Sequence, residues 1–237
     1  MRAAAEQNRS ACVELLLSYD AKWSIPDNLK ITALHNACWE GYETILSLLL
    51  QAAQKTSPSQ FEEFLDARDF EGKTALADAV VKDRLTFVKP LLEDGASYEI
   101  ANVRNESVLH MTSHGGKKAM VTLLLEISSK DPDQARFERF LDAQNNKGKT
   151  ALIDAAETDR ASIIKLLLDA GAEYNILDKN GSTALHYCAV RDHKSCVDIL
   201  LQIASEDPDR AKFNNFLNHI NRFLGIRSSR CRCERSH

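Results

Sequence analysis

Short aliphatic blocks recur along an otherwise mixed chain: Leu48-Leu49-Leu50, Pro90-Leu91-Leu92, Leu123-Leu124-Leu125, Leu166-Leu167-Leu168 and Ile199-Leu200-Leu201. Sixteen to eighteen residues before each block lies a hydroxyl side chain, Thr32, Thr74, Ser107, Thr150 or Thr183, and these step along the chain by 42, 33, 43 and 33 residues. Nine places after each hydroxyl stands Gly41, Asp83, Gly116, Asp159 or Asp192, residues that tolerate the left-handed backbone needed to stop one helix and reverse the chain. The pattern predicts helix, tight turn, helix in every unit. The hydroxyl is the expected N-cap, its oxygen accepting the N–H three residues on. A tandem repeat fixes the architecture as stacked helical pairs that bury their apolar faces against one another.

The motif Thr-Ala-Leu-His at Thr32–His35 and Thr183–His186, with Gly95-Ala96 and Gly171-Ala172 after the aliphatic blocks, resembles the ankyrin repeat over about residues 3 to 221. That family opens its first helix with Thr-Pro-Leu-His. Here Ala replaces Pro in four copies and Val108 in the fifth, and Ala suits a first helical turn. Five residues before each hydroxyl stands Asp27, Asp69, Asn102, Asn145 or Asp178, where the family places the acid or amide of its hairpin turn. The resemblance implies an all-α solenoid of about six repeats. The boundaries read 1–29 for an incomplete first repeat, then 30–70, 71–104, 105–146, 147–180 and 181–221, with a basic, disordered tail at 222–237.

A longer period lies above this one, because Phe64-Leu65-Asp66-Ala67 recurs as Phe140-Leu141-Asp142-Ala143 and again as Phe216-Leu217-Asn218. The duplicated unit is a pair of repeats. Long copies carry His35, His110 or His186 behind the cap, where short copies carry Ala77 or Ile153. Long copies also add about ten residues containing Ser57-Pro58, Asp131-Pro132 or Asp207-Pro208, followed by Phe61 and Phe64, Phe137 and Phe140, or Phe213 and Phe216. This predicts a short amphipathic helix whose Phe pair packs on the outer helices, the alternative being a second binding ridge on the convex side. Ala5, Cys12 and Leu15-Leu16-Leu17 align with Ala156, Ile163 and Leu166-Leu167-Leu168, so the chain opens within a repeat. Polar capping repeats are missing at both ends. The chain therefore reads as a piece, isoform or truncated frame of a longer array, able to self-associate through its uncapped ends.

With 44% hydrophobic and 27% charged residues and a net charge of −4, the composition suits one elongated domain. No apolar run of membrane-spanning length occurs, and Glu6, Gln7, Asn8 and Arg9 interrupt any signal peptide. The expected compartment is therefore the cytoplasm, or alternatively the nucleus. Cys12, Cys38, Cys188 and Cys196 are expected as reduced core residues. Cys231, Cys233 and His237 fall short of a zinc site, so no metal and no cofactor is expected. The tail's arginines form a basic patch, but the acidic body argues against nucleic acid.

Phosphate-loop, nucleophile-elbow and His-Glu-x-x-His motifs are all missing, and no catalytic residue is assigned. By resemblance to the family, the repeated histidines bond the cap and the neighbouring loop. Asp78 and Asp154, pointing to the concave side, are expected as solvated charges. What remains is surface. By resemblance, hairpin tips and the exposed side of the first helix contact a protein partner, which here selects Leu29, Ile31, Trp39, Glu40, Phe70, Lys73, Val81, Lys82, Val103 and Arg104. Trp39 and Phe70 read as a hot spot, or as a pair packed on each other. The expected function is a non-catalytic platform for another protein; the alternative is a regulatory or targeting segment of a larger enzyme or ion channel.

Overall fold

The protein is described here from a computed structural model covering residues 1–19, 21–209, 212–214 and 216. No strand occurs among them, and the helices follow the repeat. The first unit is α1 (Arg2–Glu6) and α2 (Ser10–Ser18); the second is α3 (Ala33–Glu40), α4 (Glu43–Ala53) and the insert helix α5 (Pro58–Leu65). Next come α6 (Ala75–Val81) with α7 (Leu85–Glu93), then α8 (Val108–Gly115), α9 (Lys118–Ser128) and the insert helix α10 (Gln134–Leu141). The pairs α11 (Ala151–Glu157) with α12 (Ala161–Asp169), and α13 (Ala184–Val190) with α14 (Lys194–Glu206), complete the array. Helices α1, α3, α6, α8, α11 and α13 pack in series as an inner row, while α7, α9, α12 and α14 pack in series as an outer row. The core between the rows is made of the expected residues, among them Leu34, Leu49, Leu76, Leu91, Leu109 and Leu124.

Local chemistry explains each unit. Thr32, Thr74 and Thr150 accept the main-chain N–H of His35, Ala77 and Ile153, and Ser107 and Thr183 make the same cap within capping boxes. Each cap satisfies an otherwise orphaned donor and contributes about 1 kcal/mol. The chain then turns through left-handed backbone at all five foreseen positions, with φ of 85° at Gly41, 59° at Asp83, 71° at Gly116, and 57° at Asp159 and Asp192. A Cβ added at Gly41 would sit 2.7 Å from the Arg84 guanidinium. That guanidinium donates to the Glu40 carbonyl at 3.0 Å, closing the end of α3 from the next repeat.

The insert helices resolve the choice left open for the Phe pairs. Phe64, Phe137, Phe140 and Phe216 are buried, and three of them meet an aromatic ring edge-on. The pairs are Trp23–Phe64 at 4.4 Å, Tyr98–Phe140 at 4.7 Å and Tyr174–Phe216 at 4.9 Å between centroids. These residues are core, not a ridge. The cysteine expectation needs one correction: Cys38, Cys188 and Cys196 are buried, but Cys12 is exposed. Helix α2 packs on α1 and α4, which leaves Cys12, Leu15 and Leu16 in solvent, whereas Ile163 and Leu167 of α12 sit between neighbours on both sides and are buried. The foreseen basic tail, with Cys231, Cys233 and His237, lies outside the described residues.

Candidate interaction surface

Each hairpin is built around one acid or amide. The Oδ1 atom of Asp27 accepts N–H groups from Leu29 and Ile31; Asp69, Asn102, Asn145 and Asp178 repeat this with the residues two and four places on, all at 2.8–3.1 Å. A fixed side-chain acceptor pre-forms the turn and holds its tip rigid. The tips are also fastened together. Phe70 N–H donates to the Leu29 carbonyl at 3.0 Å, Val103 to Glu71 at 2.9 Å, Asn146 to Arg104 at 2.9 Å and Lys179 to Lys147 at 3.1 Å. This ladder between neighbouring hairpins was not anticipated from the sequence, whose spacing gives turn type but not the offset between adjacent tips.

The histidines bind the ladder to the helices. His35 Nδ1 accepts from the Thr32 N–H and meets Thr32 Oγ1 at 2.8 Å, so Nε2 carries the proton and donates to the Lys73 carbonyl at 3.1 Å. His110 does the same with Ser107 and the Lys149 carbonyl, at 2.9 Å. Burial pushes both imidazoles below their usual pKa, against the pull of those carbonyls and of nearby carboxylates. Both nitrogens of each ring are therefore engaged in structure, Nδ1 by the cap and Nε2 by the neighbouring hairpin. Among the described residues no group of three His, Cys, Asp or Glu could hold a metal ion, and no helix is long and apolar enough to cross a membrane.

Four of the ten foreseen contact residues form an apolar, solvent-facing set: Leu29, Phe70 and Val103 are 50%, 56% and 64% exposed, and Trp39 is 37% exposed. Glu40, Lys82 and Arg104 are exposed around them, whereas Ile31, Lys73 and Val81 are half-buried. Trp39 and Phe70 do not stack on each other; Lys82 Nζ instead stands 3.8 Å above the Trp39 ring, a cation–π contact. Lys73 pairs with Glu71, and Arg104 with Glu106 at 3.0 Å.

Asp78 and Asp154 overturn the expectation of solvated charge, since they are 6% and 7% exposed. Their position follows the cap by four residues, on inner helices packed against inner helices on both sides; sequence spacing gave the face but not the depth. Desolvation is the main cause of both carboxyls being pushed up to about 7. Nearby Asp69 adds to the rise at Asp78, while Lys149 opposes it at Asp154.

The family described as ankyrin repeats in three copies matches residues 1–102 and 99–178, and the single ankyrin repeat matches 180–212. The chain belongs to the ankyrin-repeat family. Among curated proteins this ankyrin array is similar to human transient receptor potential cation channel subfamily A member 1, 27% identical over 194 residues, which is 81% of this chain and 16% of the channel. It is also similar to the E3 ubiquitin-protein ligase KEG of Arabidopsis thaliana, at 27% over 180 residues, 60% of this chain and 11% of the ligase. The chain thus spans a small part of these relatives' length. Among solved structures, the ankyrin repeat protein EF0377 superposes with a TM-score of 0.72 at 23% identity, covering 84% of this chain and 95% of that one. An ankyrin repeat domain from Acinetobacter baumannii AYE gives 0.72 at 22%, covering 85% and 96%. These likenesses show the fold. Ankyrin repeats are in general non-catalytic units that bind other proteins.

Proposed function

We propose that this ankyrin array is a pre-formed docking platform for a protein partner, using hairpin tips and the exposed side of the inner helices across its second to fourth repeats. One observation carries the reading: Leu29, Trp39, Phe70 and Val103 present apolar surface on a scaffold whose tips are joined by main-chain hydrogen bonds. A rigid apolar patch rimmed by Glu40, Lys82 and Arg104 has the make-up of a hot spot, and little ordering entropy is lost on binding. The test is capture from lysate by the wild-type chain and by the variant carrying Trp39→Ala and Phe70→Ala, with captured proteins identified by mass spectrometry. A partner held by the wild type and weakened by more than about 2 kcal/mol in the variant supports the site. Equal capture by both moves it elsewhere.

A second reading is favoured by the similarity to segments of an ion channel and of a ubiquitin ligase, each far longer than the match. Under it the platform serves as the regulatory or targeting part of a larger protein, and the same surface contacts another domain of that protein. Sequencing the transcript beyond both ends distinguishes the two.

A further inference from the structure

Asp78 and Asp154 are equivalent positions of the two short repeats, two inner helices apart in α6 and α11, with α8 between them. Neither carboxylate accepts a hydrogen bond among the described residues, although each residue is more than nine-tenths removed from water. The charges around Asp78 are Asp69, Glu71 and Lys73 on its hairpin and Lys82 at the end of α6, with the Cys38 thiol of α3 also nearby. Around Asp154 they are Lys149 and Lys147 on its hairpin, Glu157 on α11 and Glu106 on the preceding hairpin. All of these except Cys38 belong to hairpins and inner-helix ends, so both carboxylates look toward the face that carries Trp39 and Phe70.

Three of the four lysines near these acids are engaged elsewhere, Lys82 standing over the Trp39 ring, while Lys147 is exposed at its hairpin tip. Lys73 is paired with Glu71, and Lys149 with Glu157 while lying 4.5 Å from the Tyr187 ring centroid. In the same row of the preceding repeat, Asn36 Nδ2 is enclosed without a hydrogen-bond partner. The carboxylate oxygens of Asp78 and Asp154 are not among the fully enclosed polar atoms, so each keeps a path to solvent. Two deep acids that accept no hydrogen bond are costly to the free protein and are complementary to cations arriving from outside.

We propose that the inner face binds an extended segment of a partner protein bearing two basic side chains, one entering at Asp78 and the other at Asp154. This rests on the docking reading above and adds the chemistry of the partner. Inner helices pack roughly 8–10 Å apart, which sets the two acids about 16–20 Å apart. An extended chain advances about 3.3 Å per residue and alternates its side chains between faces, so basic residues that enter the same face stand about six positions apart. Arginine suits the site better than lysine, because its guanidinium can engage both carboxylate oxygens.

The experiment is selection of a displayed library of randomised twelve-residue peptides on the wild-type chain, followed by titration of a selected peptide against Asp78→Asn, Asp154→Asn and the double variant. Thermal melts confirm that each variant is folded. The expected result is enrichment of two basic residues at that spacing, with each single substitution weakening binding at least about tenfold. Peptides lacking a basic pair, peptides held equally by the double variant, or no enrichment at all overturn the proposal. If selected peptides or captured proteins are lost with Trp39→Ala and Phe70→Ala but not with the double Asn variant, docking stands and the acid sockets fall. If both substitution sets leave binding unchanged, both readings fall.

Discussion

Replacing Asp78 by Asn measures how much stability the chain loses to one buried carboxyl. In the folded protein Asp78 titrates at about 7, against an ordinary value of 3.8, and each unit of difference corresponds to about 1.4 kcal/mol. The sign follows from where protons leave. The unfolded chain releases its proton near 3.8 while the folded chain keeps it until about 7, so folding becomes less favourable as pH rises between those values and the loss levels off above them. The ceiling is about 4 kcal/mol at pH 8. Local relaxation and residual water screen part of it, and we expect a gain of about 2 kcal/mol for Asp78→Asn. For a chain of this size that is about 4–8 °C in Tm. The assay is unfolding followed by circular dichroism at pH 5 and pH 8. At pH 5 the folded wild-type carboxyl is protonated and the gain should fall to less than half. A variant less stable than wild type at pH 8, or equally stabilised at both pH values, would show that the carboxylate is satisfied by a partner and refute the reasoning.

Asp154→Asn should behave in the same way, and the two gains should add, because the sites are separated by a full repeat. Gly148→Ala should cost about 2 kcal/mol or more, since φ is 75° and the new Cβ would lie 2.7 Å from the Lys179 main-chain nitrogen in the hairpin ladder. Gly181→Ala, at the same φ with nothing within 4 Å, should cost about 1 kcal/mol; equal losses in paired melts would show that the ladder contributes nothing. His110→Ala should cost about 2–3 kcal/mol in urea unfolding by removing the cap partner and the bond to the Lys149 carbonyl. Because burial lowers the pKa of His35 and His110, the unfolded chain takes up protons first as pH falls below about 6.5. Their share of stability should therefore be lost on acidification, and His110→Gln should flatten that slope.

The fold was legible because its signals are local. The caps at Thr32, Thr74, Ser107, Thr150 and Thr183, the left-handed turns nine residues on and the acid or amide five residues before all act within one unit, where sequence distance and spatial distance agree. The apolar tips Leu29, Phe70 and Val103 were legible for the same reason. What could not be read depends on neighbouring units. Lys82 standing over Trp39 joins α6 to α3, and the depth of Asp78 and Asp154 depends on how closely inner helices approach. The exposure of Cys12 depends on what packs beside α2. A repeat pattern gives the face a residue occupies, but not how far its neighbours cover it.

The histidine bonds make the joints of the array unequal. His35 and His110 each reach from a long repeat to the hairpin carbonyl of the short repeat that follows, whereas Ala77 and Ile153, at the equivalent places in the short repeats, have no side chain that can make such a bond to the next. Native-state hydrogen exchange on His110→Ala would then show protection lost at the one seam that histidine closes, between the fourth and fifth repeats, while the seam before it, held by Tyr98 with Asp131 and by Arg136 with Glu99, stays shut.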